Sequence, residues 1–414
     1  MTRYEDEEYI DQSTMDGVLK AGRPDIEFNE TFEYNTQPLL WGNKNNTNGT
    51  VSHLPNKSGK ELKITQNDGD KLTRQTRQYF QYVPGSQKNI SFACDLPVQD
   101  SGVRARVGYW NDKDGAFLQQ EGSTIKFVRR SNADGSVTDD AVEQKNWNRD
   151  KMDDTTPSNV NIDFTKLQMV HISYLWYGGG AIALSFQIGE QIFLAHVFEG
   201  SNQRSNPITG SPSLPLRYEI ENTSSQSSDH TLDVFGGRVE SVWTGGGQRN
   251  SFPFSADTGD TVVSISDSGR PVLSIRPKDT FNGQTNRATI EAQSFQVFSL
   301  DGPARYRVIK NASLTDGGSA VSDSNWNSVN TDSITESNTT ADGFSGGRVI
   351  DSGIVPTSNQ NKTSSSEQGQ LNTREPLTLD VDNSNNDRLT LVIDDMTGQT
   401  NPTVYAKLSW REKY

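Results

Sequence analysis

The chain has 414 residues, of which 31% are hydrophobic, and a formal net charge of −14. A single core rarely grows beyond about 250–300 residues, so this length predicts two domains. The surplus of negative charge would repel a phosphate backbone, and we expect no direct binding to nucleic acid. Cys94 is the only cysteine, which excludes an intrachain disulfide and a thiolate metal cluster.

Residues 1–60 are polar, begin with an acidic stretch and lack strand alternation, which predicts an extended N-terminal arm. Such an arm is either disordered or ordered by a partner. The first residues, MTRYEDEEYIDQ, lack the basic and then apolar stretch of a secretory signal. No run approaches the roughly 18 apolar residues of a membrane span. We therefore expect a chain that is made in the cytoplasm and not inserted into a membrane.

The strongest strand pattern lies in residues 61–245. Alternate residues are apolar in 169–176 and again in 182–188, which is the period of a half-buried strand. The turn 177–180 and a Gly-Glu loop join these strands to a third at 192–198, as in an antiparallel meander. The pattern favours a β-sandwich. Further strands are predicted at 103–109, 124–130, 217–221 and 239–243.

A second β domain is predicted over residues 250–414. Ser, Asn, Thr, Gly and Asp dominate its segment 313–371, but Trp326 and Phe344 are among the apolar residues that recur there. This composition predicts long ordered loops with brief strands. The other strands of this domain are predicted at 261–265, 272–275, 288–290, 296–300, 305–309, 377–381, 389–393 and 405–410.

The residues that carry most enzyme chemistry do not form a recognisable motif. His171 and His196 lie inside predicted strands without a GxSxG or HExxH sequence, so packed strand histidines are expected. The segment Asn111–Gly115 begins like a calcium loop but lacks the remaining ligands, which favours a hairpin turn. We predict no metal and no cofactor. One acidic group keeps a cation site open as an alternative to turn carboxylates: Asp150, Asp153, Asp154 and Asp163.

Four aromatic residues are candidates for glycan binding, because an aromatic ring can pack on a sugar while nearby amides bond its hydroxyls. Each lies near a predicted loop beside Asn or Gln, and a core or interface position is the alternative. A glycosidase needs two carboxylates about 5–10 Å apart, and 53 acidic residues do not single out a pair. We predict that the chain is not an enzyme. The four candidates are Trp110, Trp147, Tyr177 and Trp243.

Residues 117–221 resemble a group of virion structural proteins from tailed bacterial and archaeal viruses. The resemblance lies in the order and spacing of FLQQEGSTIKFVRRS (117–131), QKNWNRDKMDDTTPSNVNIDFTKLQ (144–168), HISYLWYGGGAIALSFQIGEQIFLAHVF (171–198) and SLPLRYEIENT (213–223). A weaker likeness continues in 274–287 and 404–414. The resemblance implies a lectin-like, concanavalin-type β-sandwich followed by a second β domain, and it brings no catalytic residue.

Three hypotheses follow from this resemblance and from the sequence patterns. The first is a structural protein of a virus tail, baseplate or fibre, located in the virion and assembled in the host cytoplasm. Its partners would be other virion proteins, copies of itself as a homo-oligomer, and a host cell-surface glycan. The second hypothesis is a capsid-surface turret or fibre, and the third is a carbohydrate-active enzyme on a lectin-like sandwich.

Overall fold

The computed structural model describes residues 24–46, 48–96, 100–155, 157–243, 250–259, 263–264, 269–299, 302–355, 365–371, 375–382, 386–396 and 403–414. The chain forms two compact units, residues 1–248 and 249–414. Within those described ranges, no helix has the length and apolar character needed to cross a bilayer.

The first unit is built from antiparallel strands that form two sheets. One sheet has the order β13–β12–β11–β6–β15–β4–β3 with β1 added beside β15, and the other has the order β10–β9–β8–β7–β14–β5–β2. The strands are β1 (Asp25–Glu30), β2 (Trp41–Asn45), β3 (Thr50–Leu54), β4 (Gly59–Ile64), β5 (Lys71–Thr76), β6 (Ser86–Asp95), β7 (Val103–Trp110), β8 (Gly115–Glu121), β9 (Thr124–Ser131), β10 (Thr138–Glu143), β11 (Gln168–Leu175), β12 (Ala181–Ile188), β13 (Gln191–Glu199), β14 (Leu216–Asn222) and β15 (His230–Trp243).

The two sheets of the first unit face each other across one apolar core. Rings from opposite sheets meet in this core, with centroids 5.5 Å apart for Tyr109 and Tyr174 and 5.1 Å apart for Phe127 and Phe198. The core-facing residues alternate with outward ones because successive side chains of a strand point to opposite faces. The predicted all-β sandwich is confirmed. The meander is also confirmed, since β11, β12 and β13 pair in sequence order.

Residues 24–60 are part of the sandwich and not an extended arm. Strand β1 pairs with β15, β2 with β5, and β3 with β4. Trp41 is buried and stacks on Tyr218 with ring centroids 5.3 Å apart. Phe28 and Phe32 pack on the same indole, so three aromatic residues fix this segment to the core.

The second unit also has two main antiparallel sheets, with the orders β16–β31–β21–β29, where β17 also pairs with β31, and β25–β26–β18–β30–β22–β28. Its strands are β16 (Phe252–Asp257), β17 (Val263–Ser264), β18 (Arg270–Pro277), β19 (Thr280–Phe281), β20 (Gln284–Thr285), β21 (Thr289–Ser299), β22 (Ala304–Lys310), β23 (Ser313–Asp316), β24 (Ser319–Ala320), β25 (Asn327–Ser328), β26 (Thr335–Asn338), β27 (Gly343–Ser345), β28 (Arg348–Val355), β29 (Ser365–Gln370), β30 (Leu389–Asp395) and β31 (Thr403–Lys413).

An apolar core joins the two main sheets of the second unit, and Phe295 of β21 meets Tyr306 of β22 across it at 4.6 Å. The strands predicted at 288–290 and 296–300 are one longer strand, β21. The strand predicted at 377–381 is absent: that segment makes only an isolated bridge, between Leu377 and Ile290. Of the strand predicted at 261–265, only Val263–Ser264 is described. The brief strands expected in 313–371 are confirmed as β23–β29.

Candidate functional site

An aromatic cluster lies at one end of the first sandwich, in the turn after β11. Tyr177 is 58% exposed and has a left-handed backbone, with φ of 39°. Its ring centroid is 6.5 Å from that of Tyr82, which also meets Trp176 at 6.0 Å. The Trp176 indole N–H donates to the Thr209 carbonyl at 3.0 Å. The open tyrosine ring therefore contacts Tyr82, which in turn packs on the anchored Trp176.

The turn that carries Tyr177 is fastened to a loop formed by residues 200–211. Ile208 N–H donates to the Gly178 carbonyl at 2.7 Å, and Gly200 N–H donates to the Gly180 carbonyl at 2.8 Å. Only glycine fits at position 180, since a Cβ there would lie 1.9 Å from the Leu175 carbonyl oxygen. The predicted turn is confirmed, and it holds Tyr177 at a fixed place beside the loop.

The far end of the 200–211 loop is held by buried polar side chains. The Asp114 carboxylate accepts the Gly210 N–H at 2.5 Å and the Asn132 N–H at 3.0 Å. The Tyr174 hydroxyl meets the Thr209 hydroxyl at 2.5 Å. Asp114 is only 4% exposed, so these two backbone N–H groups take the place of water as hydrogen-bond donors to its carboxylate. The Asn111–Gly115 segment is therefore a turn that orders two neighbouring loops.

A polar cavity of about 310 Å³ opens between this loop and the β9–β10 hairpin. Its lining includes the hydroxyl residues Ser131 and Thr138 and the amide residues Gln203 and Asn206. Two arginines, Arg129 and Arg204, and one carboxylate, Asp134, complete its charged lining. Clefts with a few placed polar groups are where small molecules bind to proteins.

Both arginines of the cavity share Asp140 as a partner. Arg204 Nη2 is 2.6 Å from an Asp140 oxygen, while Arg129 Nε is 3.6 Å from the same atom, too far for a hydrogen bond. Arg129 and Asp140 are directly opposite on β9 and β10. Burial lowers the pKa of the Arg129 guanidinium and the nearby Arg204 lowers it further, while Asp140 opposes both effects.

Two of the four predicted glycan-binding residues are buried. Trp110 is fully covered, with Phe117 at 4.4 Å and the Arg217 guanidinium at 4.2 Å from its ring. Trp147 is 3% exposed and stacks on Phe186 at 5.7 Å. Neither ring presents an open face to a sugar. The reason is that Arg106, Arg130 and Arg217 of neighbouring strands cover the Trp110 ring, while Phe186 of β12 covers that of Trp147.

Of the other two predicted glycan-binding residues, only Tyr177 has a side chain in the described part of the chain. Tyr177 is exposed and lies beside the cavity-forming loop, whereas Trp243 ends strand β15 and its side chain lies outside the described part of the chain.

His196 is buried, as expected for a packed strand histidine: its Nδ1 accepts the Asn148 N–H at 3.1 Å, and burial lowers its pKa to about 4. No three His, Cys, Asp or Glu side chains of the described ranges converge as metal ligands.

Arg129 and Arg204 were not predicted from the sequence. Arg129 lies two residues after Phe127 on β9, so both side chains point to the core-facing side of the strand. The alternation therefore indicated that the Arg129 side chain points towards the sandwich interior. Its partner loop is 79 residues away in sequence, at Ile208, and no local pattern joins the two.

The outward face of the seven-stranded sheet carries a second polar cluster, centred on Glu219 of β14. This carboxylate is fully buried and bonds Arg106 at 2.6 Å, Arg217 at 2.8 Å and Thr73 at 2.9 Å, with Lys71 at 3.1 Å. Burial by itself would raise the pKa of Glu219, but Arg217, Lys71 and Arg106 outweigh it and hold the pKa at about 2.

Glu219 and Glu221 point to the same side of β14 and share one guanidinium nitrogen of Arg106. A glycosidase pair has the two carboxyl groups close together, but one of them must hold a proton near neutral pH and so needs a raised pKa. The low pKa of Glu219 keeps it ionised, so it cannot act as the proton donor. Its contacts are those of a structural ion network.

No protein-family model matches the chain, and no curated protein matches it. Solved structures match about half of it. A β-glucanase of Bacillus licheniformis is 13% identical, covering 53% of this chain and 98% of its own, with a TM-score of 0.33. The CBM2 module of an evolved Dit protein from Lactobacillus casei BL23 phage J-1 is 8% identical, covering 53% and 96%, with a TM-score of 0.35. A legume lectin-like domain from Entamoeba histolytica is 10% identical, covering 53% and 98%, with a TM-score of 0.31.

These matches correct one prediction and decide no activity. The prediction that the chain is not an enzyme is contradicted, because glucanases stand among the first matching structures. At these identities and TM-scores, however, no match carries an argument about the substrate or partner of this chain. The resemblance to virion structural proteins continues to rest on its sequence motifs.

We predict that Asp114→Ala loosens the 200–211 loop. The two N–H donors that Asp114 satisfies would lose their acceptor, which costs about 1–3 kcal/mol for a buried group. Hydrogen exchange at Gly210 and Asn132 should become faster. Asp112→Ala is the matched control, since Asp112 lies in the same turn but bonds Arg217. Unchanged exchange at Gly210 in Asp114→Ala would contradict the role given to Asp114.

We predict that Glu219→Gln lowers the free energy of unfolding by about 3 kcal/mol, because it leaves the buried cations of Arg106 and Arg217 with only the more exposed carboxylates of Glu221 and Asp112. Since the pKa of Glu219 is about 2 in the folded protein and the ordinary pKa of a glutamate is 4.5, the wild-type contribution is complete above pH 4.5 and disappears as the pH falls towards 2. Urea unfolding at several pH values should show this acid dependence in the wild type and not in the variant. Glu143→Gln, at a solvent-exposed pair with Lys145, is the control and should behave like the wild type.

Proposed function

We propose that this protein is a structural component of a tailed-virus particle, in its tail, baseplate or fibre region, and that its first sandwich recognises carbohydrate. The location would be the virion, and the partners would be other virion proteins and copies of the same chain. The resemblance of residues 117–221 to virion structural proteins supports the particle role.

The observation that carries the recognition role is the exposed Tyr177 ring beside a polar cavity on one loop system. A tyrosine ring offers an apolar face to the C–H groups of a sugar, and the hydroxyls and amides of the cavity offer partners for sugar hydroxyls. The loop is bonded to a rigid sandwich, so little ordering would be needed on binding. Binding residues on loops held by a rigid scaffold are a common arrangement.

Two exposed apolar residues on the outward face of the eight-stranded sheet support the assembly role. Met169 of β11 lies opposite Gln187 of β12, which lies opposite Ile192 of β13. Met169 and Ile192 are 46% and 43% exposed. Exposed apolar side chains that lie close together on one face are typical of protein docking surfaces.

We predict that the full-length protein binds glycans on an array and that Tyr177→Ala weakens this binding about tenfold or more, which corresponds to ~1.4 kcal/mol of lost stacking. Tyr34→Ala is the matched control, because Tyr34 is also exposed, at 80%, but belongs to the segment before β2 and not to the turn of Tyr177. Products are measured in the same samples, since a glycan that is cleaved would make the site catalytic. Absence of glycan binding, or equal effects of the two substitutions, would contradict the proposed recognition site.

A further inference from the structure

We propose that the polar cavity binds the carboxylate of an acidic sugar, of the uronic acid class, through Arg129 and Arg204. This inference rests on the proposed carbohydrate recognition and names the chemical class of the ligand. The site lies between the β9–β10 hairpin and the 200–211 loop, next to the turn that carries Tyr177.

Arg129 is placed as a fixed cation of the cavity. It is 7% exposed, and its Nη1 donates to the Ile208 carbonyl at 2.7 Å. Its buried Nε has no hydrogen-bond acceptor, and its Nη2 makes no hydrogen bond to any described residue. A buried guanidinium with unused donors is costly unless an acceptor reaches it.

Arg204 supplies the second guanidinium, from the opposite wall. Its Nη2 bonds Asp140 and its Nε donates to the Glu199 carbonyl at 3.3 Å, which fixes the plane of the group. The side chain is 28% exposed, and its Nη1 makes no hydrogen bond to any residue that the structure describes. The fork of an arginine matches the two oxygens of a carboxylate, and such charge-assisted bonds are stronger than neutral ones.

The lining of the cavity carries two guanidinium groups and one carboxylate. Arg129 and Arg204 share the carboxylate of Asp140, which is not part of the lining, and the buried carboxylate of Asp114 also stabilises the charge of Arg129. Asp134 is the acidic residue of the lining, but its side chain is exposed and accepts the Ser136 N–H at 3.1 Å. Water screens an exposed charge more strongly than a buried one, so the buried Arg129 is the least screened charge of the lining.

The size and the neutral lining fit a sugar better than a bare anion. A volume of about 310 Å³ is at the lower end for small-molecule pockets and far exceeds one phosphate ion. Ser131, Thr138, Gln203 and Asn206 supply hydroxyl and amide groups for ring hydroxyls. With Tyr177 on the adjacent turn, the site would hold an acidic residue in the cavity and a neighbouring sugar on the ring.

The test compares two sugars that differ only at carbon 6, methyl β-glucuronide and methyl β-glucoside, by calorimetry with the full-length protein. We expect the wild type to bind the glucuronide about tenfold more tightly, the equivalent of one charge-assisted hydrogen-bond pair. Arg204→Gln should reduce this preference to below about threefold. Arg149→Gln, which removes an exposed arginine paired with Glu199, should keep the full preference.

Three outcomes would overturn the inference and leave the carbohydrate recognition by Tyr177 intact. These are equal affinity of the wild type for the two sugars, an unchanged preference in Arg204→Gln, and binding of inorganic phosphate as tightly as the glucuronide. The sugar affinity of Arg129→Gln is interpreted only together with its thermal unfolding, because the hydrogen bond from Arg129 to the Ile208 carbonyl also holds the loop. Loss of all array binding in the wild type would instead contradict the proposed function itself.

Discussion

The arrangement of the candidate site depends on buried polar contacts to residues 208–211. Arg129 reaches the Ile208 carbonyl, Tyr174 reaches the Thr209 hydroxyl, and Asp114 accepts the Gly210 N–H. These three side chains come from three different strands or turns of the sandwich, and all are buried, so each bond replaces water that cannot enter. Because one loop links the aromatic turn to the cavity wall, fixing these few residues fixes both parts.

The remainder of the first unit serves as the rigid support. Aromatic rings such as Tyr109, Tyr174 and Tyr218 fill the space between the sheets, and the outward face of the seven-stranded sheet is closed by the ion network around Glu219. A charge network of this kind stabilises only while every member is paired. The part of the unit that stays open is therefore its loop end, where the residues of the candidate site can vary without loss of the core.

The local patterns of the sequence predicted the strands well and the long-range contacts poorly. Alternation identified β11–β13 and the turn at Tyr177, because burial on one face leaves a period of two. It did not identify β1–β3, since the partner of β1 lies far away in sequence and the polar residues of β2 and β3 hide the pattern. The burial of Trp110, a candidate for glycan binding near a predicted loop, was not predicted because the arginines that cover its ring come from β7, β9 and β14. The pairing of Arg129 with the 200–211 loop is a tertiary contact of the same kind.

The central claim is that the loop end of the first sandwich recognises carbohydrate. A crystal structure of the protein with an oligosaccharide that contains a uronic acid tests it most directly. The account predicts one sugar ring packed on Tyr177 and a carboxylate within hydrogen-bond distance of Arg129 and Arg204. An oligosaccharide bound on the polar face around Glu219, or on any surface away from the 200–211 loop, would contradict it.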